Sequence, residues 1–250
     1  MHNYEILNKI LKNQSLNFAA NANKSNSICV FDLDSTLFNV SPRTQKIIEE
    51  FAEIHQITAL KSVKVEPNHW GLKESLIDSG VELDFSNPNE LKLFESLRDS
   101  WKLKFFSNDY LHYDTPYLGA VHFVQTLAEN NIPTFYLTGR DQNRMGLGTK
   151  EVLLKWGFPI KEERYLNLKP HKDIDDKIFK FDWVHKLKNE NPESIIYFFE
   201  NEPVNINKIG EVHPDIEIIF LNTTHSRQQD VQVPVHTMEH FDLNLPENKA

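Results

Sequence analysis

The chain has one cysteine, Cys29, so it can form no internal disulfide. That residue lies in the apolar run SICVF and reads as a buried strand residue rather than a reactive thiol. No stretch approaches the roughly 18 consecutive apolar residues of a membrane-spanning helix. The first residues, MHNYEILNKILKNQS, carry polar residues throughout and lack the continuous apolar segment of a secretory signal. Basic residues are in deficit: 27 Lys and Arg face 36 Asp and Glu, for a formal net charge of −9. Broad binding to a nucleic-acid backbone or an anionic membrane needs clustered Lys and Arg, so neither partner is expected. Internal repeats and long low-complexity segments are also missing. These absences together lead to the expectation of a cytoplasmic protein, with its oligomeric state left open.

What is present is enough for a sizeable core: 40% of the 250 residues are hydrophobic and 25% are charged. Residues 4–13 carry Ile6, Leu7, Ile10 and Leu11 on one helical face, and residues 14–26 read as a loop. ICVFDLD then reads as a buried strand ending in acids. Further on, IPTFYLTGR, RYLNL, SIIYFF and IEIIFL read as strands. AVHFVQTLAENN, EVLLKWGFP, KIFKFDWVHKLKN and NINKIG read as the helices among them, with Gly157 and Pro159 ending the second. Strands alternating with helices predict an α/β fold, a Rossmann-like parallel sheet with helices on both faces. Residues 41–115 interrupt that alternation with helical patterns at 42–54, Trp70 to Ile77 and Leu91 to Leu103. They are read as a mainly helical cap inserted after the first strand. The expected division is 1–27 as N-terminal helix and linker, 28–40 with 116–250 as catalytic core, and 41–115 as cap. From HSRQQDVQVP onward the tail is expected to be irregular.

In α/β sheets, ligands bind beyond the carboxyl ends of the strands. Asp32, Asp34 and Thr36 follow the first strand; Thr138, Gly139 and Arg140 the second; Glu200, Asn201 and Glu202 the fourth. Lys177 and Lys180 open the helix before that fourth strand. Carboxylates, a hydroxyl and an ammonium would converge on one edge. Crowded carboxylates call for a cation, and oxygen ligands suit magnesium. The same set fits phosphoryl transfer, with one carboxylate attacking phosphorus, another moving a proton and cations offsetting charge.

On these residues the chain resembles the haloacid dehalogenase superfamily. FDLDST resembles the first motif, FYLTGR the second, Lys180 or Lys177 the third and YFFENEP the fourth. The resemblance implies that Asp32 is nucleophile and metal ligand, and that Asp34 is general acid and base with its carbonyl on the metal. It implies that Thr138, with the Gly139 amide, holds phosphoryl oxygens, that Lys180 links nucleophile and phosphate, and that Glu200 completes the Mg2+ site. The second carboxylate of the DxD implies a phosphatase or phosphomutase rather than a dehalogenase. The expected reaction is hydrolysis of a small phosphorylated molecule through an aspartyl-phosphate. A phosphotransferase and a non-catalytic binding protein of this fold are the alternatives.

The fourth motif departs from the family pattern. It offers Glu200 and Glu202 where Asp is usual, leaving Glu200, Glu202, or Glu200 helped by Asn201 as the metal ligand. Lys180 is preferred over Lys177 because Phe179 and Phe181 flank it, with Lys169 third. Arg140 is read evenly as touching substrate or pairing with a surface acid, and Glu202 as a solvated or helix N-terminal acid. Trp101, Phe105, Phe106 and Tyr110 are read as core packing. His236 and His240, four residues apart beside Pro234, are not read as a zinc site.

Overall fold

The structure, a computed structural model, describes residues 3–18, 27–81 and 83–243. Its frame is a six-stranded, wholly parallel sheet in the order β5-β4-β1-β6-β7-β8. The strands are β1 (Ser27–Phe31), β4 (Thr134–Asp141), β5 (Leu166–Lys169), β6 (Ile195–Glu200), β7 (Glu217–Leu221) and β8 (His236–Met238). Alternate residues of a strand face opposite sides. In β1, Ile28 and Val30 join one core cluster while Cys29 and Phe31 join another. In β6, Ile196 and Phe198 take the first side and Tyr197 and Phe199 the second. A sheet apolar on both faces must be covered on both. Helices α1 (Asn3–Phe18), α5 (Ala120–Glu129) and α6 (Gln142–Trp156) cover one; α7 (Asp176–Glu190) and α8 (Pro203–Val212) cover the other.

Several expectations need correcting. The first helix runs on to Phe18, into the expected loop, whose remaining residues 19–26 lie outside the described residues. It packs Ile6, Leu7 and Ile10 into the same cluster as Phe31 and Phe123. The tail is not wholly irregular, because β8 adds a sixth strand beside β7. His236 bonds Glu217 and His240 meets Asn3, so the two histidines serve separate structural contacts.

After β1 the chain turns through Ser35, which adopts a left-handed φ of 61°. It then forms the two-residue strand β2 (Phe38–Asn39), paired antiparallel with β3 (Thr115–Pro116). Between them lie α2 (Ser41–Ile54), α3 (Leu72–Asp78) and α4 (Pro88–Phe105), with short 3-10 turns. This insert has its own small core, in which Ile48, Phe51 and Ala52 meet Leu60, Leu72, Leu76 and Leu97.

Candidate active site

Strand register brings the first acids together. Phe31 lies opposite Phe199 on one side and Tyr136 on the other. One or two residues on, Asp32, Glu200 and Thr138 therefore reach the same edge of the sheet. Asp32 is 3% exposed and Glu200 is fully buried. Lys180 reaches them from the first turns of α7, donating to Asp32 Oδ1 at 2.6 Å and to Glu200 Oε2 at 2.8 Å. Asp175 caps that helix by accepting from the Ile178 amide, which leaves Lys177 exposed at its start. The lysine in the site is thus Lys180. Two buried carboxylates share one ammonium, so the cluster carries one excess negative charge when both are ionised. Burial pushes the Asp32 carboxyl up to about 8, and Glu200 adds to this against the pull of Lys180. Burial works against the charge on Lys180, but Asp32 and Glu200 hold its ammonium well above the usual lysine value.

Asp34 has a different environment. Arg140 donates to its Oδ2 from Nε at 3.1 Å and to its Oδ1 from Nη2 at 2.6 Å. Arg43, on α2, adds a bond to Oδ1 at 2.9 Å. Both guanidiniums also bind Asp114, beside β3: Arg43 at 2.8 and 2.6 Å and Arg140 at 2.8 Å. The four charges close a neutral ring joining the sheet edge to both ends of the insert. Burial would raise Asp34, yet Arg140 and Arg43 hold its carboxyl well below the usual carboxylate range. Burial prevails at Asp114 and raises it. Arg140 therefore pairs with the fully buried Asp114 and with Asp34, whose half-buried carboxylate lines the cavity, and not with an acid on the outer surface. Arg43 and Asp114 were missed in the sequence. The available signal for Arg43 was a charge four residues before Ile47, on the face of α2 that Ile47, Ile48 and Phe51 mark as buried.

The remaining residues divide clearly. Glu200 Oε1 accepts from the amides of Asn201 and Glu202, and Oε2 accepts from Asn205 as well as Lys180. Glu202 turns away and accepts from the Ser226 amide and hydroxyl. Asn201 accepts from Thr36 and donates to the Thr224 carbonyl. Thr138 is 1% exposed, and its hydroxyl oxygen accepts from the Arg140 amide. A Cβ on Gly139 would collide with the Asp176 carboxylate, so only glycine fits there with Asp176 as it stands. One oxygen of that carboxylate, Oδ1, is buried without a hydrogen bond. Among the described residues no three His, Cys, Asp or Glu side chains converge as a complete metal cage.

These groups open onto one cavity of about 360 Å³. Its floor holds Asp32, Asp34, Thr138, Gly139, Lys180 and Glu200; its roof comes from the insert, with Val65, Trp70, Trp101, Phe105 and Phe106. The aromatic group expected in the core does pack, Trp101 stacking on Phe105 at 4.5 Å, but three of its members also face this cavity. Tyr110 instead bonds Glu50.

Comparison with known proteins bears on the fold and the family. No curated protein matches the chain. Among solved structures, a haloacid dehalogenase-like hydrolase from Burkholderia xenovorans LB400 aligns with TM-score 0.51 and 11% identity over 86% of this chain and 93% of its own. A protein named as a phosphatase from Clostridium difficile aligns with TM-score 0.54 and 15% identity over 86% and 95%. Such low identities speak for the fold alone. The family model for haloacid dehalogenase-like hydrolases matches residues 27–174, which include Asp32, Asp34, Thr138 and Gly139. Lys180 and Glu200 lie past its end and join the site through the fold. With more than half its length matched and its strands in this arrangement, the chain belongs to the haloacid dehalogenase-like hydrolases.

Proposed function

We propose that the protein is a magnesium-dependent phosphomonoester hydrolase working through an aspartyl-phosphate at Asp32. The observation that carries this reading is the single ammonium of Lys180 between Asp32 and Glu200, with Thr138 at the same sheet edge. An ionised Asp32 oxygen attacks phosphorus, the ester P–O bond breaks, and the leaving oxygen takes a proton from Asp34, which regains one from the water that attacks next. Water then attacks the phosphoryl group, giving inorganic phosphate and the free carboxylate. The Thr138 hydroxyl and Gly139 amide hold phosphoryl oxygens, and Lys180 offsets their charge. Asp34, held ionised by two arginines, suits the base of the second step. Acting as the acid of the first step requires it to gain a proton against Arg43 and Arg140. The insert serves as the cap, its apolar roof excluding bulk water.

Magnesium fits the chemistry of the donors. Asp32, the main-chain carbonyl of Asp34 and Glu200 would hold it, supplying hard oxygen ligands with room for water. When bound, it would polarise the phosphoryl group. It must compete with Lys180 and Asn205 for Glu200, whose four contacts already occupy both oxygens. The test is turnover of an aryl phosphate with magnesium and with chelator, together with isolation of the phosphoenzyme. Magnesium-dependent phosphate release and label on Asp32 are expected. A phosphoryl group recovered on another residue sinks the reading.

A further inference from the structure

The cavity is charged at one end only. From the sheet edge and the loops beyond it come all its charges: the acids Asp32, Asp34, Asp176, Glu200 and Glu202 and the cations Arg140, Lys169 and Lys180. The lining drawn from the insert, residues 41 to 106, contains no Asp, Glu, Lys or Arg. Its one histidine, His69, is occupied: Nδ1 lies 3.1 Å from Ser75 Oγ and Nε2 lies 2.9 Å from Asp78. A second phosphate or carboxylate on the ligand would find no cation there. Of the insert's three lining hydroxyls, Thr44 already accepts from Trp101 and Ser75 already bonds His69 and Gly71, so a polyol would bury most of its hydroxyls against rings, which costs affinity.

The rings are not equivalent. Phe105 is sandwiched between Trp101 and the Arg43 guanidinium, which lies 4.2 Å from its centroid. Trp101 donates its indole N–H to Thr44, which fixes it in place. These two rings can only form a wall. Trp70 differs. It is 50% exposed, lines the cavity and takes part in none of the ring contacts among the described residues. Its backbone is held by Glu74, which accepts from the Trp70 amide at 2.7 Å. A half-exposed indole at a cavity rim, on a fixed backbone, is a stacking surface awaiting a planar group.

We propose that the site takes a monophosphate ester of an uncharged, ring-bearing alcohol, an aryl or nucleoside monophosphate, with its ring against Trp70. The proposal rests on the phosphatase reading for the placement of the phosphate. The experiment is calorimetric titration of the Asp32→Asn protein, with magnesium, using phenyl phosphate, adenosine 5′-monophosphate and glucose 6-phosphate. Steady-state turnover of the same esters by the unaltered protein runs in parallel. One or both ring-bearing esters bind about tenfold or more tightly than glucose 6-phosphate, the size of one stacking contact. Which of the two leads separates the aryl from the nucleoside source. Trp70→Ala removes about that tenfold for the ring-bearing esters alone, while Trp70→Phe keeps most of it. Glucose 6-phosphate binding as tightly as both, or Trp70→Ala weakening all three alike, overturns the ring site and leaves the phosphatase reading standing. Ring-bearing esters that bind tightly without turnover keep the ring site and overturn the phosphatase reading. Failure of all three to bind the variant and to be turned over by the unaltered protein overturns both.

Discussion

Replacing Asp32 by asparagine should abolish turnover and, without metal, make the protein more stable. Two buried carboxylates share the Lys180 ammonium, so once Asp32 ionises the cluster has net charge −1, whereas Asp32→Asn leaves a neutral Lys180–Glu200 pair at every pH in the range. The sign with pH follows from the raised carboxyl. Asp32 goes from 3.8 to about 8 on folding, so the fold favours its protonated form. That favourable contribution is complete below pH about 3.8 and disappears as pH rises through about 8. Each unit of pH within this window costs the unaltered protein at most about 1.4 kcal/mol. The Lys180 ammonium beside Asp32 spreads its titration, so between about pH 5 and 8 the loss is on the order of 2 kcal/mol. At roughly 2–4 °C per kcal/mol for a protein of this size, that is about 4–8 °C in Tm. Asparagine does not titrate, so the Tm advantage of Asp32→Asn should grow by this amount from pH 5 to 8. Thermal unfolding in chelator, followed by circular dichroism, measures it. Parallel pH curves for the two proteins would refute the argument that burial, and not merely pairing, governs Asp32. Added magnesium should raise the Tm of the unaltered protein more than that of Asp32→Asn, because the variant lacks a ligand.

Lys180→Ala leaves Asp32 and Glu200 buried without their cation; it should lose most turnover and about 3–5 kcal/mol of stability by denaturant titration, whereas exposed Lys177→Ala changes neither. Glu200→Ala should shift the magnesium dependence of phosphate release to much higher concentration, and Glu202→Ala, whose carboxylate faces Ser226, should not; equal shifts would reassign the ligand. Gly139→Ala should cut activity through its clash with Asp176, and Asp176→Ala in the same chain should restore part of the loss. Arg43→Gln should cost stability in full at neutral pH, and its deficit in denaturant titration should shrink as pH falls below about 3.8 and Asp34 takes up a proton; a deficit as large at about pH 3 as at about pH 7 would count against a role in keeping Asp34 ionised. A carboxyl lowered by folding contributes above its ordinary value near 3.8 and loses that contribution as pH falls below it.

The sequence alone determined the alternation of strands and helices, hence the parallel sheet. It also determined which residues stand at strand ends, because strand periodicity and a terminal DxD or TG are local features. Asp32, Thr138 and Glu200 could be named for that reason. The preference for Lys180 over Lys177 came from its flanking phenylalanines, but its place between two carboxylates depends on how α7 lies across the sheet. Tertiary structure decided that, and also the partners of Arg140. Asp34 is 106 residues away from Arg140 in the chain, and Asp114 lies 71 residues from Arg43. Such pairs leave no local periodic trace; they form only where the β2–β3 stem brings the start and end of the insert to the sheet edge. The short strand β8 escaped notice because three residues do not establish an alternation, and its pairing comes from β7. The sequence reads Trp101 and Phe105 as core packing and gives Trp70 no role, and their place at the cavity is not legible in it for a similar reason. Hydrophobic composition says that a ring will be buried somewhere, and only the folded insert settles whether a face remains open to the cavity.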